Sequence, residues 1–370
     1  MSVSSRAISF PENALSPSRV DRVLIVRLGA MGDIIHGLPA AAALRGAFPK
    51  IMLGWLIEER WAELLCTLPN PRSGPRSPQR PLVDRIHTVN TRQWRTAPLS
   101  LQTWERVAAT LSDVRAASYE LAIDLQGAVR SSVLARWSKA PIIYGATQPR
   151  ENLASMFYSR RVIPSGSHIV QQNLSLTEAV ARRGLPVPAV AFPIDELAEH
   201  ECSLWLNRHG VHNFVLLNPG AGWGAKQWPA ERYGQLAKQL AADGMRSVIN
   251  SGPGEHDLAQ AVRAVSSNAA IIFSGSLTKL IAITRRASLF VGGDTGPMHL
   301  AAALRIPVVG IFGPTDPERN GPFGTRNIVL RHPSSVTSYK HLAKSDANLL
   351  AISYKQVADA ARQLLEGGRG

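Results

Sequence analysis

Residues Ala287 to Leu304 restrict the fold more tightly than any other stretch of the chain. Ala287-Ser288-Leu289-Phe290-Val291 is a short apolar run ending in Gly292 and Gly293, the pattern of a strand buried in a parallel sheet. Met298 to Leu304 is rich in alanine and leucine and reads as a helix. Pro297 suits its first turn, where a missing N–H costs nothing. Between strand and helix lies a sharp turn carrying Asp294, Thr295, Gly296 and His299. N–H groups at a helix start, closely approached because glycine has no side chain, make an anion site suited to phosphate. The same residues also describe a merely capped, tightly packed βα turn. Three polar side chains with glycines at one strand's carboxyl end favour the ligand site, because open α/β sheets bind there.

The alternation runs along the whole chain. Val23 to Val26 is a buried strand that continues through Arg27 into Leu28-Gly29-Ala30-Met31-Gly32-Asp33, followed by a helix over Ile34–Phe48 and Pro49. The turn lacks the G-x-G-x-x-G pattern, so it carries no dinucleotide fingerprint. Further strands are predicted at Ile51–Ile57, Leu121–Asp124 and Ile142–Gly145, and helices at Ser131–Trp137 and Gln171–Arg183. Thr67 to Pro81, rich in Pro, Arg, Ser and Gly, reads as a mobile surface loop. Pro186 to Pro193 reads as a hinge. After a helix at Asp195–His209 the pattern restarts, with strands at Phe214–Leu217, Ser247–Ile249, Ala270–Phe273 and Val308–Phe312. Helices are predicted at Glu231–Asp243, Leu277–Arg286 and Tyr354–Leu365. The expectation is an α/β chain of two parallel-sheet domains facing each other across a cleft. They span 21–190 and 191–350, with 1–20 a flexible leader and 351–370 a closing helix.

A chain of 370 residues is long enough for two such cores. Its net charge of +14 favours anionic partners: nucleotides, phosphorylated glycans, nucleic acid or an acidic membrane face. Nucleic acid is the weaker choice, because no dense Lys/Arg block is interleaved with aromatics. Cys66 and Cys202 fit no metal or redox spacing and suggest a reducing compartment. No secretory signal and no apolar run near the ~18 residues of a membrane span is legible. A cytoplasmic protein that meets membrane only at its surface is expected.

Lys226 lies in the glycine-rich loop Asn218–Pro229 after the second half's first strand, where it could reach a diphosphate or simply face solvent. Glu255 follows the next strand and could take both hydroxyls of a ribose or cap a helix start. Together with the Asp294–His299 turn, these make three carboxyl ends converging on one nucleotide-sized pocket. In the first half, Asp33 would face the cleft as a general base or as a helix cap. His36, one turn on, could equally be a packing residue. Arg130, Arg150, Arg160 and Arg161 form a loose basic set, suited to carboxylate and phosphate or to plain surface charge.

On these motifs the chain resembles the ADP-heptose:lipopolysaccharide heptosyltransferases, inverting glycosyltransferases of GT-B fold. The resemblance is carried by Val26 to Asp33, Lys226-Gln227-Trp228-Pro229, Gly293 to His299 and Phe312 to Pro317, and runs over nearly the whole chain from Val23. Asp124-Leu125-Gln126-Gly127 with Arg130-Ser131, and Arg150 to Tyr158, are most like heptosyltransferase I, which adds the first heptose to Kdo. The loop Asn218 to Gly222 is as much like the second heptosyltransferase. Where some relatives have threonines there, this chain has Gly220, Ala221 and Gly222, so any diphosphate contact in that loop must come from backbone N–H. The leader and the Thr67–Pro81 stretch also depart from the family. The resemblance implies two Rossmann-like domains, the first for the acceptor and the second for the nucleotide sugar. It makes Asp33 the catalytic base, Lys226 the diphosphate lysine and Glu255 the ribose ligand. Asp294 would contact the heptose, while Thr295, Gly296 and His299 form the phosphate turn. Arg130 and Arg150 would serve an acidic Kdo-lipid A acceptor at the inner membrane. No metal or cofactor is implied, and a monomer is expected. Another sugar transferase of the same fold, or a nucleotide-sugar-binding protein without turnover, are the competing readings.

Overall fold

The computed structural model describes residues 20–68, 70–97, 99–338 and 346–367. The expected leader lies outside the described residues except for Val20. Two parallel sheets, each of six strands among the described residues, account for the architecture. The first contains β1 (Arg22–Val26), β2 (Met52–Glu58), β3 (Arg85–Val89), β4 (Leu121–Asp124), β5 (Ile142–Ala146) and β6 (Arg160–Val162). The second contains β7 (Phe214–Asn218), β8 (Arg246–Ser251), β9 (Ala270–Ser274), β10 (Leu289–Gly293), β11 (Val308–Phe312) and β12 (Asn327–Arg331). Their orders are β3-β2-β1-β4-β5-β6 and β12-β11-β10-β7-β8-β9. Counted from its own first strand, each sheet therefore has the doubly wound order, reversing between β1 and β4 and between β7 and β10. Ligands of such sheets bind outside the carboxyl ends at the reversal. Each half thus has one favoured place for a site.

The helices of the first half are α1 (Met31–Ala47), α2 (Thr91–Thr96), α3 (Leu101–Ala116), α4 (Val129–Trp137) and α5 (Ile169–Ala181). Those of the second begin with α6 (Glu196–Arg208), α7 (Ala230–Ala242), α8 (His256–Val265) and α9 (Leu277–Arg286). They continue with α10 (Gly296–Ala303), α11 (Pro317–Asn320), α12 (Ala347–Ala351) and α13 (Tyr354–Glu366). Strands β7 and β10 are buried throughout, which is why their sequences run apolar without alternation. Helix α13 lays Val357, Ala358, Ala361 and Leu364 into the core of the second sheet.

α1 is apolar on nearly every side, because α5 covers one flank and α10 of the other half covers another. The core around α1 runs on into Ile281 and Leu300 of the second half, so the two halves share a packed seam. Residues 186–193, the expected hinge, form neither helix nor strand and tuck Phe192 into that core.

Two expectations are corrected here. Thr67–Pro81 is no loose loop. Arg80 is only 2% exposed and its guanidinium donates to the carbonyls of Pro71, Gly74, Pro75 and Val83. A cation buried this deeply is tolerated because carbonyl oxygens surround it. α1 also starts at Met31, three residues before the predicted start, so Asp33 is inside its first turn.

Candidate active site

The donor-type turn forms at the reversal of the second sheet. Thr295 stands just before α10 without a side-chain capping bond, its hydroxyl donating to Gly293 O at 3.3 Å, and Pro297 occupies the first turn. Asp294 is 7% exposed and is held on both oxygens. Lys226 Nζ donates to Oδ2 at 2.6 Å and to the Asp294 carbonyl at 3.3 Å, while His299 Nε2 donates to Oδ1 at 3.0 Å. Burial by itself would raise the Asp294 pKa, but the bonds and charges of His299 and Lys226 hold it well below the usual carboxylate range. The Lys226 side chain is 14% exposed and its ammonium lies 4.3 Å from the Trp223 ring centroid, so it is not a solvated surface lysine.

The carboxyl ends of β7 and β8 join the same cluster. Asn218 donates from Nδ2 to Gly220 O at 2.9 Å and to Thr295 Oγ1 at 3.5 Å, and accepts from Asn250 at 2.7 Å. Glu255 begins α8 without capping it; its Oε2 accepts from the Gly252 N–H at 2.8 Å, back toward the loop. A Cβ on Gly220 would lie 1.9 Å from Glu255 Oε1, so only glycine lets the loop pass this carboxylate. Lys226, Glu255, Asp294, Thr295, Gly296 and His299 thus gather on three adjacent carboxyl ends.

Across the seam stands the amino end of α1. Asp33 Oδ2 accepts the Ala30 N–H at 3.0 Å, and Oδ1 lies 2.7 Å from Arg27 Nη2. Its side chain is 38% exposed, open enough to meet another molecule. Asp33 therefore caps the helix start, which leaves a further chemical role possible. A Cβ on Gly32 would sit 2.6 Å from His299 Cδ2, and one on Gly296 would sit 2.6 Å from Met31 Sδ. The two helix starts touch through glycine on both sides, at the residue before Asp33. Asp124 fixes the neighbouring loop, accepting from the N–H groups of Gln126 and Gly127 and the hydroxyls of Ser131 and Tyr158. Gln126 in turn accepts the Leu28 N–H at 2.8 Å.

Arg130 and Arg150 stay apart from this cluster. Both are exposed on the first half; Arg130 Nη1 donates to Thr91 Oγ1 at 2.8 Å, and the Thr91 hydroxyl donates to buried Glu58. The sequence reading passed over Arg27, Asn218 and His168 and left His36 undecided. Arg27 and Asn218 are polar residues ending apolar strands, a signal that was present. His168 caps α5 through Nδ1, which accepts the Val170 N–H, and donates from Nε2 to Gly321 O across the seam at 3.0 Å. No local pattern marks it. Among the described residues, no group of three or more His, Cys, Asp and Glu is placed to hold a metal ion. Nor, among them, is any helix long and apolar enough to cross a membrane.

With this geometry in hand, comparison with known proteins is decisive. Residues 107–349 match the model of glycosyltransferase family 9 (heptosyltransferase). The chain belongs to this family. It is a glycosyltransferase. It is 32% identical over 319 residues to lipopolysaccharide heptosyltransferase 1 of Pseudomonas aeruginosa, covering 84% of this chain and 83% of that one. The Escherichia coli K12 heptosyltransferase 1 is 29% identical over 316 residues, covering 84% and 94%. Among solved structures, E. coli heptosyltransferase WaaC with ADP superposes with a TM-score of 0.74 at 25% identity, covering 93% of this chain and 99% of that one. The two sheets are those of the GT-B fold, as the family motifs implied.

Proposed function

We propose that this family 9 enzyme moves L-glycero-D-manno-heptose from ADP-heptose to Kdo of the lipopolysaccharide inner core, inverting the anomeric carbon, with Asp33 as general base. One observation carries the proposal: the Gly32–His299 approach brings the helix start that bears Asp33 against the turn that holds Lys226, Asp294 and His299 together. In the reaction the acceptor hydroxyl loses its proton to Asp33 as its oxygen bonds to the anomeric carbon. The bond from that carbon to the phosphate oxygen breaks, and ADP leaves with growing negative charge. Lys226 and the start of α10 are suited to stabilise that charge. An ammonium has three donors, so Lys226 can keep Asp294 and still meet a phosphate oxygen. Glu255 would take the ribose, and Asp294 a heptose hydroxyl.

Residues 21–190 would bind the acceptor and 191–350 the nucleotide sugar. The lipopolysaccharide heptosyltransferase 1 relatives support heptosyl transfer to lipopolysaccharide, the segments that resemble heptosyltransferase I favour the Kdo-bearing acceptor, and the WaaC structure with ADP favours the nucleotide. Arg130 and Arg150 would meet acceptor carboxylates and phosphates. The exposed apolar side chains Leu101, Trp104, Leu153 and Met156, together with the net charge of +14, support peripheral contact with the inner face of the cytoplasmic membrane. The test is ADP release from ADP-heptose with Kdo-lipid A, with mass spectrometry of the lipid. A gain of one heptose supports the proposal. Release only with an already heptosylated acceptor would make it a second heptosyltransferase, and no release with either acceptor would mean that this glycosyltransferase uses another donor or acceptor.

A further inference from the structure

His36 belongs to the half that carries Asp33, yet its ring completes a hydrogen-bond run in the other half. It lies on α1 one turn after Asp33, buried, with Nε2 3.1 Å from His299 Nδ1 and ring centroids 4.1 Å apart. His299 Nε2 meets Asp294 Oδ1 at 3.0 Å, and Lys226 Nζ meets Asp294 Oδ2 at 2.6 Å. The run His36–His299–Asp294–Lys226 therefore crosses the seam without a break. An ionised carboxylate only accepts, so His299 Nε2 must carry the proton facing Asp294. One proton is then shared between His299 Nδ1 and His36 Nε2. His36 is itself well anchored: its backbone carbonyl accepts from Asn173 Nδ2 at 3.1 Å, and the His168 ring stands edge-on at 5.6 Å. A ring that only filled space would leave the buried Nδ1 of His299 without this bond.

We propose that His36 is a positioning residue for sugar transfer. By bonding His299 Nδ1 across the seam, it fixes the orientation of the His299 ring, and through it the Asp294 carboxylate and the Lys226 ammonium. The helix that delivers the base is thus also the one that sets the donor cluster in order. The proposal rests on the heptosyl-transfer reading above.

The full chain carrying His36→Phe or His36→Gln tests it. Glutamine's amide reaches about as far as the imidazole Nε2 and can donate to His299, whereas phenylalanine fills the space and cannot. Histidine-labelled protein, free of substrate, is read by 15N NMR at pH 7.5, with the His299 signals assigned through His299→Asn. All three should keep the Nε2–H tautomer that Asp294 selects, while the His299 Nδ1 signal should be that of a hydrogen-bonded nitrogen in wild type and His36→Gln and of an unbonded one in His36→Phe. With ADP-heptose and Kdo-lipid A, kcat should fall about tenfold in His36→Phe, the rate equivalent of one ordinary hydrogen bond. ADP affinity should hold within about twofold, and His36→Gln should recover most of kcat. Loss of the Nδ1 bond without the kcat loss, the kcat loss with that bond kept, or His36→Gln falling as far as His36→Phe overturns the proposal. If His36→Phe does not fold, His36→Asn, too short to reach His299, replaces it. Absence of transfer by wild type would defeat the heptosyl reading alone, since the Nδ1 bond is measured on free protein.

Discussion

At Asp33 a helix cap and a general base make different demands on one carboxylate. Asn keeps an oxygen for the Ala30 N–H but cannot take a proton, so Asp33→Asn should lower kcat by ~10²–10⁴-fold with ADP affinity unchanged. A residue that only caps would leave kcat near normal in Asn, while Ala would lose about 1 kcal/mol of stability. Steady-state kinetics and melting curves of both variants decide between the roles. On the donor side, Lys226→Ala and Glu255→Ala should each weaken ADP binding by calorimetry. Lys226 should matter more, because an ammonium meets the diphosphate charge directly. If neither variant changes the affinity, the pocket is misplaced. The positions of single residues were legible wherever the pattern was local: Asp33, Lys226, Glu255 and the 294–299 turn all follow strand ends. His168 was not announced, because its partner Gly321 is 153 positions away and only the fold brings them together.

Among elements, the central strands were legible, and so was β9 at one edge, but the other three edges were not. β1, β7, β10 and β11 are continuous apolar runs because both faces are covered. β3, β6 and β12 went unread: RIHTV, RRV and NIVLR are short and carry charged or polar residues, as edge strands do. α3 was missed despite its buried Thr103, Val107 and Val114, which keep a helical spacing. The contact between α1 and α10 yields a prediction at this scale. Gly32→Ala would put a methyl 2.6 Å from His299 Cδ2, so one helix start must retreat. Transfer should fall sharply while ADP affinity, which depends on the second half, changes little. Equal losses in both would mean that the contact only supports the fold. Arg130→Ala and Arg150→Ala should do the reverse of a donor-site change, raising acceptor KM with ADP affinity intact. A drop in ADP affinity in either would reassign that half.

At the scale of the whole molecule, the seam carries a pH dependence that neither half would have alone. His36 has its pKa pushed well below the ordinary histidine value by burial, then by His299, His168 and Arg27, with Asp294 opposing. His168 is lowered by burial, His299 and Arg319 against the bond to Gly321 O. In the unfolded chain both return to a pKa of about 6.5. Acid therefore charges the unfolded state first, so the stability these rings contribute is complete above about pH 6.5 and drains away as pH falls below it. The carboxylate of Asp294 is depressed and holds its contribution to far lower pH, leaving a window between about pH 6.5 and 4.5 in which histidines dominate. Buried His87, bonded to Asp113 in the first half, titrates in the same direction, so wild type alone does not isolate the seam. The comparison is between wild type and His36→Gln/His168→Asn, melted at pH 7.5, 6.5 and 5.5. The double variant should start less stable and lose less as pH falls, because His87 still titrates in it while the seam does not. Equal slopes for the two proteins would place the acid sensitivity elsewhere, in β3 and α3 around His87, and would remove the seam from any account of how acid loosens the enzyme.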